Sequence, residues 1–250
     1  MTMKNLCTYA AMTVFVCIFG INNLYGMDKG KKAPPSSEFW HALRTNNTQQ
    51  VKKLYKSGNF DLNVIDTNYA NESPLMDAVE NGNIDLVNFF LDKDADVNFA
   101  SPNGFTALMK VATWGQKDTN IPIMKLLLHH KANANAVAKN GFTALKMAVQ
   151  NDSRLVPLLL SAGVNSYLKN DALKVAIGDH RPDLIEKLAD NTEYSADMLN
   201  IAARYGKANE KKILTLAAQK NVARNVWEEL QTQKVGDSDI QAIVNKQFGK

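Results

Sequence analysis

The sequence predicts an all-α solenoid: about five to six helix-turn-helix units stacked side by side, carrying short β-hairpin fingers and closed by a helical C-terminal cap. Three recurring observations predict it. The string Asn-Gly-Phe-Thr-Ala-Leu occurs at 103–108 and again at 140–145, with a weaker copy, Asn-Glu-Ser-Pro-Leu, at 71–75. Each copy is followed by an apolar run ending in leucine: Phe89-Phe90-Leu91, Leu126-Leu127-Leu128 and Leu158-Leu159-Leu160. Each run is followed by a short polar turn: Asp94 to Asn98, Lys131 to Asn135, and Gly163-Val164-Asn165. Ordered features that recur at a fixed period mark a repeat architecture, in which one unit cannot bury its apolar face alone and stacking supplies the core.

The elements follow in order along the chain. Residues 1–26 read as a signal peptide or an N-terminal membrane anchor. Lys4 supplies a positive start, no charge occurs between Lys4 and Asp28, and the apolar stretch runs from Leu6 to Ile21. Its dense core, Ala10 to Phe19, is shorter than the roughly 20 residues a membrane span needs, which favours a cleaved secretory signal. Gly20 and Gly26 are small enough for the last residue before a cleavage site, but Ile18 and Leu24, two residues before them and so third from the cut, are not. Anchoring through residues 6–21 is therefore the alternative. The expected location is secreted or extracytoplasmic. Residues 27–37, with Lys29, Lys31, Lys32 and Pro34-Pro35, read as a flexible leader.

The solenoid is expected over 38–223. Its strongest units are 66–99, 100–136 and 137–167, and its degenerate ones 38–65, 168–191 and 192–223. In the first, Phe39 to Ala42 opens one helix, Val51 to Tyr55 marks its partner, and Asp61-Leu62-Asn63 repeats the polar turn. In the strong units Asn-Gly favours a tight turn at a finger tip, and Thr106 and Thr143 are placed to cap the following helix. Leu108, Val111 and Ala112 face inward, and Met124, Leu127 and Leu128 insert from the second helix. Residues Gln116–Asn120 carry the extra length of the central unit as a loop between its helices. Pro157 is compatible with a helix only in its first turn, which requires a start near Arg154. Downstream, Ala172 to Ala176 and Met198 to Ala202 read as first helices, and Leu184 to Leu188 and Lys212 to Leu216 as second ones. Equivalent leucines lie 33 residues apart from Leu75 to Leu108 and 37 from Leu108 to Leu145, but only 28 from Leu145 to Leu173. The later fingers are therefore truncated. Residues 224–250 read as the helical cap.

These residues resemble the ankyrin repeat, whose period is 33 residues and whose signature is Thr-Pro-Leu-His-x-Ala. The best match is Ser73-Pro74-Leu75-Met76-Asp77-Ala78. Met76, Met109 and Lys146 stand where the family has its histidine, so the hydrogen bonds of that histidine between repeats are expected to be missing, with packing in their place. The resemblance implies a non-catalytic protein that binds another protein on a concave face of finger tips and first-helix ends. On that plan the candidate partner-binding residues are Tyr69, Glu72, Glu80, Asn103, Phe105, Thr113, Trp114, Lys139, Asn140, Phe142 and Gln150. Tyr69, Phe105, Trp114 and Phe142 form an expected exposed aromatic stripe, a composition enriched at binding hot spots; the alternative is that Phe105 and Phe142 pack finger against finger. A structural or envelope-associated scaffold without a dedicated partner is the other functional reading.

Composition narrows the classes. The charge balance of 29 basic and 25 acidic residues is nearly even and argues against nucleic acid, which calls for a clustered basic face. Lys207, Lys211, Lys212, Lys220 and Arg224 are the nearest thing to one. Cys7 and Cys17 both lie in the N-terminal segment, so the remaining chain holds no disulfide or cysteine-based metal site. No HExxH, GxSxG or phosphate-binding glycine loop occurs. His129-His130 suits a helix C-terminus, where a cation complements the dipole, better than a metal. No cofactor or metal is expected. Contact with a membrane is expected only through an uncleaved N-terminal segment.

Overall fold

The computed structural model describes residues 32–189, apart from 59, 114 and 180. The N-terminal segment 1–26, the unit expected at 192–223 with its basic group, and the cap at 224–250 lie outside the described residues.

Within them the chain forms five helix pairs: α1 (Ser37–Arg44) with α2 (Thr48–Gly58), α3 (Pro74–Glu80) with α4 (Ile84–Leu91), α5 (Ala107–Thr113) with α6 (Asn120–His129), α7 (Ala144–Asn151) with a 3-10 turn (Ser153–Leu155) and α8 (Val156–Ser161), and α9 (Ser166–Gly178) with α10 (Pro182–Ala189). Consecutive first helices pack on one another from α1 to α9, while α4 packs on α6 in the second row. The result is a two-layered stack.

The same local chemistry starts the first helix of each pair. Ser36 Oγ accepts from Phe39 N at 3.2 Å and Ser73 Oγ from Met76 N at 3.4 Å. Thr106 Oγ1 accepts from Met109 N at 3.4 Å and Thr143 Oγ1 from Lys146 N at 3.1 Å. Asn165 Oδ1 does so for Leu168 N at 2.9 Å. Each cap satisfies one of the backbone donors that a helix start leaves without a partner.

The core is the seam between the layers. Leu75, Met76, Leu108, Met109, Leu145 and Leu173 from the first helices and Leu86, Phe90, Ile123, Met124, Leu127 and Leu159 from the second are all buried. At the N-terminal end aromatics fill it: Phe39 meets Phe60 edge-to-face at 5.5 Å and Phe90 at 6.2 Å.

The fingers are tight turns more than strands. Ser101 N donates to Phe105 O at 2.8 Å and Ala138 N to Phe142 O at 2.9 Å. The isolated antiparallel bridge between Ala100 and Thr106 is the only strand-like pairing among the described residues. Gly104 is required at its tip. Its φ is +81°, and a Cβ there would stand 3.1 Å from Ala138 Cα in the next finger. That close approach lets Lys139 N donate to Asn103 O at 2.9 Å, joining the two fingers.

No finger precedes α9, which Asn165 caps directly, as the contracted spacing predicts. Pro157 lies in the first turn of α8, after a 3-10 turn that begins at Ser153. The loop of the central unit is shorter than expected, because Asn120 already opens α6. The end of the expected leader is docked: Pro35 is buried, and Ala33 O accepts from Asp61 N at 2.8 Å.

One expectation is corrected. Met76 and Met109 are fully buried, as packing residues should be, but packing is not alone in joining the repeats. Asn63 Oδ1 accepts from Asp96 N at 2.7 Å, Asn98 Oδ1 from Asn133 N at 2.7 Å, and Asn135 Oδ1 from Asn165 N at 2.8 Å. A second series of side-chain donors reaches carbonyls at first-helix ends. Asn81 Nδ2 donates to Leu43 O, Lys117 Nζ to Glu80 O, Asn151 Nδ2 to Ala112 O and an Arg181 guanidinium N–H to Val149 O, all within 2.9–3.2 Å. Each donor belongs to the repeat following its acceptor.

Candidate functional site: the finger and first-helix face

The fingers and the exposed ends of the first helices form one face, and the candidate residues divide on it. Tyr69 is 65% exposed, with the Arg44 guanidinium 5.4 Å from its ring centroid. Asn103, Lys139, Asn140 and Gln150 are also exposed. Asn140 Oδ1 accepts from Phe142 N at 3.2 Å and so shapes its own turn. Glu80 is half-buried, 3.4 Å from Lys110 Nζ.

Four expected exposures are corrected. Phe105 and Phe142 are half-buried and pack against the core; Lys146 Nζ lies 5.8 Å from the Phe142 ring centroid. Thr113 is half-buried and turns its hydroxyl back to donate to Met109 O at 3.0 Å, a common resting place for a threonine late in a helix. Glu72 is buried, where it pairs with Lys110. Trp114 lies outside the described residues. Among the described residues, Tyr69 is thus the one aromatic of the expected stripe that stands in solvent.

The structure also brings together a charged cluster that periodicity does not reveal. Asp66, Glu72, Asp77 and Glu80 converge from the first finger and α3, with Arg44 on α1 and Lys110 on α5. Arg44 pairs with Asp66, and Lys110 reaches both Glu72 and Glu80. Asp77 has no base of its own. It is 7% exposed, and its Oδ2 is buried without a hydrogen-bond partner. Burial pushes its carboxyl up to about 7, and neighbouring Glu72, Glu80 and Asp66 push the same way while Arg44 opposes them. The Glu72 carboxyl is also raised, by burial first, although Lys110 counters part of it. A cleft of about 100 Å³, lined by Arg44, Tyr69, Asp77, Glu80 and Asn81, opens beside Asp77. One sequence signal could have found it: residues 66–80 hold four acids and no lysine or arginine.

A second carboxylate is fully satisfied by contrast. Asp152 is buried and accepts from Arg154 Nε at 2.8 Å and Asn120 Nδ2 at 3.1 Å. Burial alone would raise its carboxyl, but the bonds from Arg154 and Asn120 hold it below the usual aspartate value. It therefore ties the start of α6 to the 3-10 turn of the next helix pair. His129 and His130 close α6 with rings 5.6 Å apart, and the described residues contain no group of three or more His, Cys, Asp or Glu placed to hold a metal ion.

A family model described as ankyrin repeats (3 copies) matches residues 22–101 and 75–170, together more than half of the chain. The chain belongs to the ankyrin-repeat family. No curated protein matches it significantly. Among solved structures it is similar to one chain of the complex between predatory endopeptidase Bd0816 from Bdellovibrio bacteriovorus and immunity protein Bd3460. That likeness has a TM-score of 0.56 and 23% identity over 68% of this chain and 92% of the other. At such identity it is the ankyrin fold that is shared. Ankyrin repeats are protein-interaction modules, and the face described above is the one their fingers and first helices present.

Proposed function

We propose that this ankyrin-repeat chain is an exported, non-catalytic binding module that holds another protein against its concave finger and first-helix face. The observation that carries the reading is the combination on that face of exposed Tyr69, Lys139 and Gln150 with the cleft beside Asp77. A ring, a cation, an amide and a recessed carboxylate offer varied contacts along that face, the composition of a specific protein interface more than of an inert strut. The complex of endopeptidase and immunity protein is a solved case in which a similar fold occurs together with a protein partner. Export rests on the uncharged stretch between Lys4 and Asp28.

Two measurements test this. Intact mass of the natively produced protein is expected to lack the N-terminal segment, or else to come from the membrane fraction; a soluble, full-length cytosolic species would falsify export. Affinity capture with the mature chain is expected to retain a partner that the double variant Tyr69→Ala, Lys139→Glu holds at least about tenfold more weakly, with an unchanged melting temperature. A partner retained equally by both proteins would move the interface off this face.

A further inference from the structure

Asp77 occupies the variable position of the repeat signature, between Met76 and Ala78, and both neighbours are fully buried. A short acidic side chain placed there on α3 is nearly buried, bordering only the cleft it lines, and the structure offers it no base. Arg44 is committed to Asp66, and Lys110 to Glu72 and Glu80. The cluster holds four carboxyl groups against two cations, so it is short of positive charge. A buried carboxylate without a partner costs several kcal/mol in general, and groups left in that state inside a cleft are candidates for a ligand.

The surroundings define what would satisfy it. The cleft of about 100 Å³ is small and is walled by polar and charged side chains. That suits a compact ammonium head better than the broad, planar fork of a guanidinium. Asn81 directs its Nδ2 to Leu43 O, which leaves its Oδ1 to accept. Asp77, Glu80 and Asn81 then supply three acceptors for the three donors of an ammonium. Tyr69, exposed at the rim, offers a surface for an aliphatic stem. A divalent ion fits poorly, because the described residues place no group of three or more His, Cys, Asp or Glu to hold one.

We propose that the cleft between α1 and α3 is the subsite for a lysine side chain of the partner protein, whose ammonium pairs with the Asp77 carboxylate beside Glu80. This rests on the reading of the face as a protein-docking surface and names the chemistry of one contact in it. Binding requires the ionised carboxylate, so the proton held by Asp77 below pH about 7 is released when the ammonium enters. The charged groups acting on it are Glu72 and Asp66 on the finger, Glu80 on α3 and Arg44 on α1, with Lys110 on α5 paired to Glu72 and Glu80. Affinity through this contact falls as pH drops below that value and levels off above it.

The test uses the full chain, labelled for carboxyl-carbon NMR, and two blocked pentapeptides that differ only in a central lysine or norleucine. The lysine peptide is expected to lower the Asp77 titration midpoint and to shift resonances of Tyr69 and Glu80, while the norleucine peptide leaves them unchanged. Asp77→Asn, which removes a strained charge and should fold at least as well, is expected to abolish the response to the lysine peptide. An unmoved Asp77 midpoint, an equal response to norleucine, or the same response to calcium or magnesium chloride without peptide overturns the proposal. The two readings fail separately. If the captured partner is weakened by Tyr69→Ala, Lys139→Glu but not by Asp77→Asn, the docking face stands and the lysine subsite does not. If the lysine peptide responds as expected while the face variant leaves capture intact, the reverse holds.

Discussion

The side-chain Oδ1 of Asn98 accepts from the backbone N–H of Asn133, 35 residues further on, at 2.7 Å, and its Nδ2 donates to Lys131 O at 3.3 Å. One amide thus spans two successive turns and satisfies both sides of the junction. Asn98→Ala removes both bonds and is expected to cost about 1–2 kcal/mol in urea denaturation. Asn98→Asp keeps the acceptor and should cost less than Asn98→Ala. Equal stability of wild type and Asn98→Ala would mean that side-chain packing alone carries the junction.

Leu108 and Leu145 occupy the same inward position on α5 and α7 and are buried to within 1% of full burial. Truncating either to alanine leaves a cavity between the two layers, with an expected cost of about 2–5 kcal/mol. Denaturant melts that find less than about 1 kcal/mol for both would contradict their placement in the core.

Asp77 and Asp152 are expected to give stability opposite slopes in pH. The folded Asp77 carboxyl titrates at about 7, against an ordinary aspartate value of 3.8. As pH rises from 4 to 7 the unfolded chain loses this proton before the folded chain does. Stability therefore falls through that window, by at most about 1.4 kcal/mol per unit from this group. Asp77→Asn should be the more stable protein at pH 8, by about 1–3 kcal/mol, and indistinguishable near pH 4. Identical pH slopes for variant and wild type would refute this.

The folded Asp152 carboxyl is held below its ordinary value, so its contribution is present above pH 3.8 and lost as pH falls through the lower, folded value. Asp152→Ala is expected to cost about 2 kcal/mol at neutral pH and progressively less in acid. A cost that grows on acidification would reverse the assignment.

Phe105 is half-buried against the core, so Phe105→Ala should lower stability, by about 1–3 kcal/mol given its partial burial, and not act on a partner alone. A variant with full stability and weakened capture would return Phe105 to the binding face.

The local grammar of this chain was legible in its sequence because its determinants act over a few residues. Thr106 and Thr143 cap helices that begin one residue later, Pro157 requires a helix start just before it, and the shortened spacing after Leu145 leaves no room for another finger. Recurrence of the same ordered features along the chain was enough to imply stacking. What the tertiary structure alone decided is which polar and aromatic side chains the neighbouring repeat would cover. Phe142 and Glu72 read as exposed on the repeat plan, yet both are withdrawn, Phe142 against the core and Glu72 against Lys110, 38 positions away on α5. The Asn98 to Asn133 junction was likewise invisible, since a turn asparagine reads the same whether its amide meets water or the next repeat. Asp77 is the sharpest case. Its position in the signature is evident, but its missing countercharge depends on Arg44 and Lys110 being spent elsewhere, and that assignment exists only once three repeats are stacked and water is excluded between them.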